Sequence, residues 1–468
     1  MPSSPSDLQL VIGLGRSGIG AARLLKAQGK PVLLLEAQNT PALQQRAAEL
    51  EHEGISVTLG CELKPACLPD LSGAPAAVVV SPGMRWDHEL LQSLRREGIP
   101  VHGELVPAWR ASDGVPWIGI TGTNGKTTVT HLVSHLLASA GIDAPMGGNV
   151  GYSAAELVLQ RCLTDAGRPQ WLVMELSSYQ IEAAAEVAPA IGIWTTLTPD
   201  HLERHGSVVA YRAIKRSLLE RSRLRILNAD DPDLIAHAAG WDQACWVTAS
   251  DAKQLPSGVS ASLWIDQGRI WRRRDDSSCE NLMAANRLAM PGEHNRQNML
   301  MAVAAGLAAG LNPQQLEQGL ASFPGVPHRL ERLEQKAAVT YYNDSKATNY
   351  DAAEVALKAL DGPLVVLAGG EAKIGDASGW LSALRAKAAA VVLYGAAQRQ
   401  FRGLLADGQY NGMVSLVPSL TEAVPQAAEL ARQLNCQAVL LSPACASFDQ
   451  YSDFEARGEH FRALVKAL

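Results

Sequence analysis

Short apolar runs recur along almost the whole chain, each followed by a segment with helical spacing, and this alternation restricts the fold more than any other feature. "LQLVIGLG" leads into "SGIGAARLLKAQG" and then "PVLLLEA"; later come "AAVVVSPG", "WIGIT", "WLVMELSS", "IGIWTTLT", "LRILNADD", "PLVVLAGG", "AAVVLYG" and "AVLLSP". Strands this apolar are buried on both faces, which calls for parallel sheets covered by helices. The helical half is as clear after "WIGIT". Val129, Leu132, Val133, Leu136, Leu137 and Ala140 fall on one face, and Gly141 is placed to end the helix.

With 468 residues the chain exceeds what one core usually organises. Breaks are expected near residues 107 and 325, in "VPAWRASDGVPW" and "FPGVPHR", where Pro and Gly precede a new strand. The expected domains are therefore 1–107, 108–325 and 326–468. Within the second, the polar stretch "RRRDDSSCENL" is expected to be a solvated loop or an edge hairpin. A net charge of −6 gives no electrostatic case for nucleic-acid binding. No apolar run reaches membrane-spanning length, and "MPSSPSDLQL" lacks the parts of a signal peptide, so a cytoplasmic protein without membrane insertion is expected. The seven cysteines, at 61, 67, 162, 245, 279, 436 and 445, include no C-x-x-C pair, so neither zinc nor a disulfide framework is indicated. Cys445 is expected to be a packed thiol.

Two glycine-rich loops carry the chemistry. Gly13-x-Gly15-x-x-Gly18 lies between a strand and a helix, and Glu36 closes the next strand, as in a Rossmann dinucleotide site. Backbone amides at a helix N-terminus favour a diphosphate. A UDP-sugar also carries one, so the motif leaves a dehydrogenase and a UDP-substrate site both open. In "TGTNGKTT", Gly122 and Gly125 let amides converge on phosphate oxygens, Lys126 supplies charge, and the Thr127 hydroxyl can bind Mg²⁺. The common P-loop wants a glycine six residues before the lysine, where this chain has Ile120, which disfavours motors and GTPases. A nucleotide-switched module without catalysis remains compatible with this loop alone.

The loop's T-G-T-N-G-K-T form resembles that of the Mur ligases, and further stretches follow in that family's order. They are "GGNVG" at 147–151, "ELSSYQIE" at 175–182, "TPDHLERHG" at 198–206, "YRAIK" at 211–215, "GEHNRQN" at 292–298, "PHRLE" at 327–331 and "NDSKATN" at 343–349. The tail "LLSPACASFDQYSDFEARGEHF" is similar to the members that add D-glutamate to UDP-N-acetylmuramoyl-L-alanine. The resemblance implies three α/β domains, each with a mainly parallel sheet flanked by helices: Rossmann-like, P-loop-type central, and Rossmann-like again. It implies an ATP-dependent ligase of peptidoglycan precursor synthesis, working as a monomer through an acyl phosphate with two Mg²⁺ ions.

The resemblance also assigns residues. Gly122, Thr123, Asn124, Gly125, Lys126, Thr127 and Thr128 would hold the ATP phosphates, with Asn298 beside Asn295 at the adenine, and Arg329 and Asp344 from the third domain. Thr127 and Glu175 would hold one Mg²⁺, and His201 with Lys215 the other. A lysine ammonium has no lone pair for a metal, so Lys215 would be carbamylated. Lys126, His201 and Lys215 are thus the expected catalytic residues. Gly15, Arg16, Ser17 and Glu36 would meet the uridine diphosphate, and Asn149, Ser177, Gln180 and His201 the muramoyl-alanine part. Glu36-Ala37 departs from the Asp followed by Thr-Arg of some relatives, which bears on uracil recognition. Thr348 and Lys373 would take one carboxylate of D-glutamate, and Ser447, Phe448 and Phe454 the other, with Lys346 near the nucleotide or the acyl phosphate.

Overall fold

The computed structural model describes residues 7–64, 74–164, 167–241, 243–336, 338–372 and 375–468. Among these the strands form three sheets. The first contains β1 (Gln9–Ile12), β2 (Val32–Glu36), β3 (Ser56–Leu59), β4 (Ala77–Val80) and β5 (Val101–Gly103), all parallel, in the order β3-β2-β1-β4-β5. β1, with every residue buried, is central, as a run of four apolar or screened side chains requires.

The second sheet holds β6 (Trp117–Thr121), β7 (Met146–Gly148), β8 (Leu172–Glu175), β9 (Ile191–Trp194), β10 (Leu224–Asn228), β11 (Cys245–Thr248), β12 (Ala261–Asp266), β13 (Arg269–Arg273) and β14 (Cys279–Ala284). Its order is β14-β13-β12-β11-β10-β9-β6-β8-β7. β6, β8 and β9 are buried along their whole length and pair in parallel. Past β12 the pairing turns antiparallel, and "RRRDDSSCENL" forms an edge hairpin between β13 and β14.

Each of these two sheets meets the other through helices. Leu105–Ala111 follows β5, and Ala154–Cys162 follows β7; their apolar residues join Leu24, Leu25, Trp117 and Leu172 in one continuous core. The chain accordingly divides into two compact units, one holding residues up to Leu288 with His294–Phe323, the other Ala289–Glu293 with Pro324–Leu468.

The second unit carries the third sheet: β15 (Glu331–Lys336), β16 (Val339–Asn343), β17 (Leu364–Gly369), β18 (Ala388–Tyr394), β19 (Met413–Leu416) and β20 (Ala438–Leu441). The order is β15-β16-β20-β17-β18-β19, parallel except for β15. One core cluster, with Trp380 and Phe401, covers one face, and a second, with Val424 and Phe461, covers the other. Helices pack on both sides of buried strands, as the apolar runs demand.

Candidate functional site

The phosphate loop leaves the C-terminal end of β6, between β8 and β9, the place where open parallel sheets bind ligands. Residues after β9 buttress it. Thr123 N donates to Thr196 O at 2.8 Å, Asn124 N to Thr196 Oγ1 at 2.9 Å, and Thr195 Oγ1 to Thr121 O at 3.2 Å. The approach is so close that a Cβ on Gly122, whose φ is +146°, would stand 1.9 Å from Thr195 Oγ1. Only glycine fits there. Helix Lys126–Ser139 begins at Gly125 with no side-chain cap, so its first-turn amides and dipole face the loop's concavity. Asn298, buried with Asn295 in helix Glu293–Ala308, lies against Gly125.

Two lysines converge on one carbonyl. Lys126 Nζ donates to Gly122 O at 2.9 Å and Thr123 O at 2.8 Å, and Lys215 Nζ donates to the same Gly122 O at 2.9 Å. Lys215, on helix Val208–Arg221, is 1% exposed and stands 4.6 Å from the Tyr211 ring centroid, one helical turn earlier. Burial, and then the Lys126 charge, push its amine well below the ordinary lysine range, with Asp200 opposing.

Glu175 closes β8 and is buried; Asn149 Nδ2 donates to its Oε1 at 2.9 Å, and its Oε2 is buried without a partner. An orphaned carboxylate oxygen and the Thr127 hydroxyl suit a hard oxygen-seeking cation such as Mg²⁺. Among the described residues no three His, Cys, Asp or Glu side chains gather as a metal site, so phosphate and water oxygens would have to fill the remaining positions. His201 has a left-handed backbone, φ 53°, uncommon for a residue with a side chain. Its Nε2 is 3.4 Å from Asp200 Oδ2, and its ring is 5.0 Å from that of Tyr179. Nearby His205 bonds Ser178 Oγ at 3.0 Å; burial, with Arg204 and His201, pushes it down to about 4, which keeps it neutral.

Ser177 and Gln180 form the capping box of helix Ser178–Glu182, with Gln180 Oε1 accepting from both Ser177 N and Ser177 Oγ at 3.0 Å. In the N-terminal loop, helix Arg16–Ala27 starts at Gly15 without a side-chain cap, and Ser17 lies in its first turn. Glu36 is held by Leu14 N at 2.8 Å and Gln38 N at 3.0 Å, so its carboxylate is engaged by the loop itself. Arg16 Nη1 donates to Gly151 O at 2.9 Å, which brings the first glycine loop to the Asn149 loop.

In the second unit, three loops gather at the C-terminal ends of the adjacent strands β16, β17 and β20. Glu371 and Ala446 exchange backbone hydrogen bonds at 2.9 Å. Arg457, fully buried, donates to Ser345 Oγ at 2.9 Å, Ser345 O at 2.7 Å, Cys445 O at 3.1 Å and Ala446 O at 3.2 Å. Cys445 is itself buried. Asp344 is buried and accepts from Leu330 N and Ser442 Oγ, each at 3.0 Å; Arg329 Nε is buried without a partner. Ser447 is buried, Thr348 half-buried, and Phe448 69% exposed. Lys346 Nζ sits 4.6 Å from the Phe454 ring centroid. Lys373 lies outside the described residues.

The chain matches models described as Mur ligase MurD-like, N-terminal domain, over residues 7–103, Mur ligase middle domain over 120–306, and Mur ligase, glutamate ligase domain over 328–445. A Synechococcus sp. (strain CC9605) protein named UDP-N-acetylmuramoylalanine–D-glutamate ligase is 55% identical over 459 residues, 98% of each chain. One of the same name from Thermosynechococcus vestitus is 45% identical, over 98% of this chain and 99% of its own. The chain belongs to the Mur ligase family. Among solved structures, UDP-N-acetylmuramate-alanine ligase from Thermotoga maritima aligns with a TM-score of 0.57 at 18% identity, over 98% of this chain and 99% of its own, a likeness of fold.

Several residues that shape this Mur ligase site had no sequence signal of their own. Thr195 and Thr196 buttress the phosphate loop from a strand end, and only tertiary packing reveals it. Tyr211 was readable, because it precedes Lys215 by four residues and so shares its helix face. Arg457 reads as an ordinary helical arginine until burial places it among four acceptors.

Proposed function

We infer that this chain is an ATP-dependent ligase that adds D-glutamate to UDP-N-acetylmuramoyl-L-alanine in the synthesis of peptidoglycan precursors. The observation that carries this reading is the 55% identity across 98% of both chains to a relative of that name. The muramoyl-alanine carboxylate takes the γ-phosphoryl of ATP, giving an acyl phosphate and ADP. The amine of D-glutamate then attacks the carbonyl carbon, and the tetrahedral intermediate expels phosphate.

Catalysis of this kind is mainly positioning and charge neutralisation. Gly122, Thr123, Asn124, Gly125, Thr127 and Thr128 would wrap the phosphates, with Lys126 leaving its loop carbonyls for the β/γ oxygens. Thr127 and Glu175 would hold one Mg²⁺, a role supported by the orphaned Glu175 oxygen. Magnesium, when bound, neutralises phosphate oxygens and fixes their direction. Lys215 would serve with His201 at a second ion as a carbamate: CO₂ adds to the neutral amine, a proton leaves, and an anion remains. The depressed basicity of Lys215 supports this, since only the neutral amine reacts.

Gly15, Arg16, Ser17 and Glu36 are proposed for the uridine diphosphate, and Asn149, Ser177, Gln180 and His201 for the muramoyl-alanine part. Asn298, Arg329 and Asp344 are proposed nucleotide ligands, and Thr348, Lys373, Ser447, Phe448 and Phe454 ligands of D-glutamate. The working boundaries remain 1–107, 108–325 and 326–468, and the working form a cytoplasmic monomer; among the described residues no helix is long and apolar enough to cross a membrane. The test is phosphate release by purified protein with ATP, Mg²⁺ and UDP-N-acetylmuramoyl-L-alanine. Release should require D-glutamate; equal turnover with L-glutamate or diaminopimelate overturns the reading.

A further inference from the structure

Outside the residues assigned above, one buried carboxyl stands where the first two sheets meet. Glu104, 1% exposed, follows β5 and precedes helix Leu105–Ala111. Its Oε1 accepts from Ala155 N at 2.6 Å, in the first turn of helix Ala154–Cys162. That helix ends the loop bearing Asn149, Gly151 and Ser153. The neighbouring Gly103 N donates to Ala183 O at 2.7 Å, at the C-terminal end of the helix that carries Gln180. Gly103 packs so tightly there that a Cβ would meet that of Ala183 at 2.8 Å. Residues 103 and 104 therefore tie the N-terminal domain to both central-domain segments proposed for the muramoyl-alanine part.

A second observation marks the position. Glu104 Oε2 is buried and has no partner. The residue lines a small cavity with Ser81, Pro82, Trp86, Gln180 and Arg204, with ≈ 10 Å³ open to the centre of a water-sized group. That is room for about one water. A carboxyl that only capped a helix would gain more at the surface, where its charge stays hydrated. Here burial pushes it up to about 7 against the Ala155, Ser153 and Ala154 donors that favour its charge.

We propose that Glu104 is a positioning residue for the UDP-linked substrate: by holding the amide of Ala155 it sets the Asn149 loop and, through Gly103, the Gln180 helix against the first glycine loop. The proposal rests on the functional reading above and deepens it. Arg16, which reaches Gly151 O at 2.9 Å, spans the same junction from the glycine-loop side. Glutamine at 104 keeps an oxygen for Ala155 N; alanine removes it and frees the loop.

The experiment compares Glu104→Ala and Glu104→Gln in the full chain. Glu104→Ala should raise KM for UDP-N-acetylmuramoyl-L-alanine about tenfold, about 1.4 kcal/mol. KM for ATP and D-glutamate should stay within about twofold, and Glu104→Gln should restore the first KM. A uniform rise in all three constants, or a lowered Tm with KM unchanged, overturns the proposal in favour of a merely structural cap. Hydrogen exchange of residues 147–155 separates this from the functional reading. If the wild type fails to turn over these substrates, the functional reading falls, while faster exchange in Glu104→Ala alone still supports the clamp. Equal exchange in all three proteins overturns it.

Discussion

Replacing Asp344 by asparagine should remove a pH-dependent destabilisation from the C-terminal unit. The carboxyl lies at the C-terminal end of β16, 5% exposed. Leu330 N, Ser442 Oγ and the charges of Arg329 and Arg457 favour its ionised form, but burial outweighs them and raises it from 3.8 to about 7. The difference is about 3 units, and at 1.36 kcal/mol per unit this corresponds to about 4 kcal/mol. Because the folded value stands above the unfolded one, the native state keeps a proton that the unfolded chain has already lost. Stability therefore falls as pH rises from about 3.8 to about 7, and the cost is complete above that.

Asparagine keeps an oxygen for Leu330 N and turns an amide toward Ser442 Oγ, which can accept as well as donate. Asp344→Asn should therefore match the wild type near pH 4 and exceed it by about 2–4 kcal/mol at pH 8. Whole-chain unfolding of a two-unit protein is not two-state, so the measurement is native-state hydrogen exchange of β17 and β20, corrected for intrinsic rates. A gain that is the same at pH 5 and pH 8 would refute the argument, since it would mean the charge is not being desolvated. The variant should also bind ATP more weakly, which would explain why a carboxyl so costly at neutral pH stands here.

Lys215→Ala should lose activity by at least a hundredfold and regain part of it with formate or acetate, and wild type under ¹³CO₂ should show a carbamate ¹³C signal; no rescue and no signal would count against the modified lysine. Gly122→Ala should fold but lose ATP binding, since its Cβ would meet Thr195 Oγ1 at 1.9 Å in a backbone region costing about 1–3 kcal/mol; calorimetry with a non-hydrolysable ATP analogue checks this, and unchanged affinity would show that the loop relaxes freely.

Much of the fold was legible because the informative strands are buried from end to end. β6, β8, β9, β17 and β20 show no exposed residue, and such runs have few other solutions. The two glycine loops were legible for a related reason: close backbone approach needs glycine, which sequence displays directly. What sequence could not settle is how polar side chains divide between scaffold and ligand. The family resemblance assigns Ser177 and Gln180 to the substrate, yet S-x-x-Q is also a capping box, and the structure shows the box formed. Glu104 gave no signal at all. In sequence it is an acid at the start of a helix, where acids are common; its burial arises from a partner segment about fifty residues away. Arg457 was hidden for a related reason, its acceptors lying on the Cys445–Ala446 loop shortly before its helix and on Ser345, 112 residues away in the chain.

The convergence of Lys126 and Lys215 on Gly122 O gives the two lysines a shared electrostatic logic. Two ammonium groups bonded to one carbonyl repel, and in a buried setting that repulsion is weakly screened. Lys126 would turn from its loop carbonyls to an incoming phosphate; Lys215, buried beside it, is driven toward the neutral amine. Neutrality is the condition for CO₂ addition, and addition would replace a suppressed cation with an anion beside Lys126. On the proposed reading the phosphate loop's lysine would help to prepare its neighbour for the opposite charge, and the same pair would present nucleotide and metal with a positive and a negative group side by side. A Lys126→Met variant tests the link without turnover: it should raise the basicity of Lys215 and reduce carbamate occupancy under ¹³CO₂ at pH 8, and an unchanged signal would break the connection.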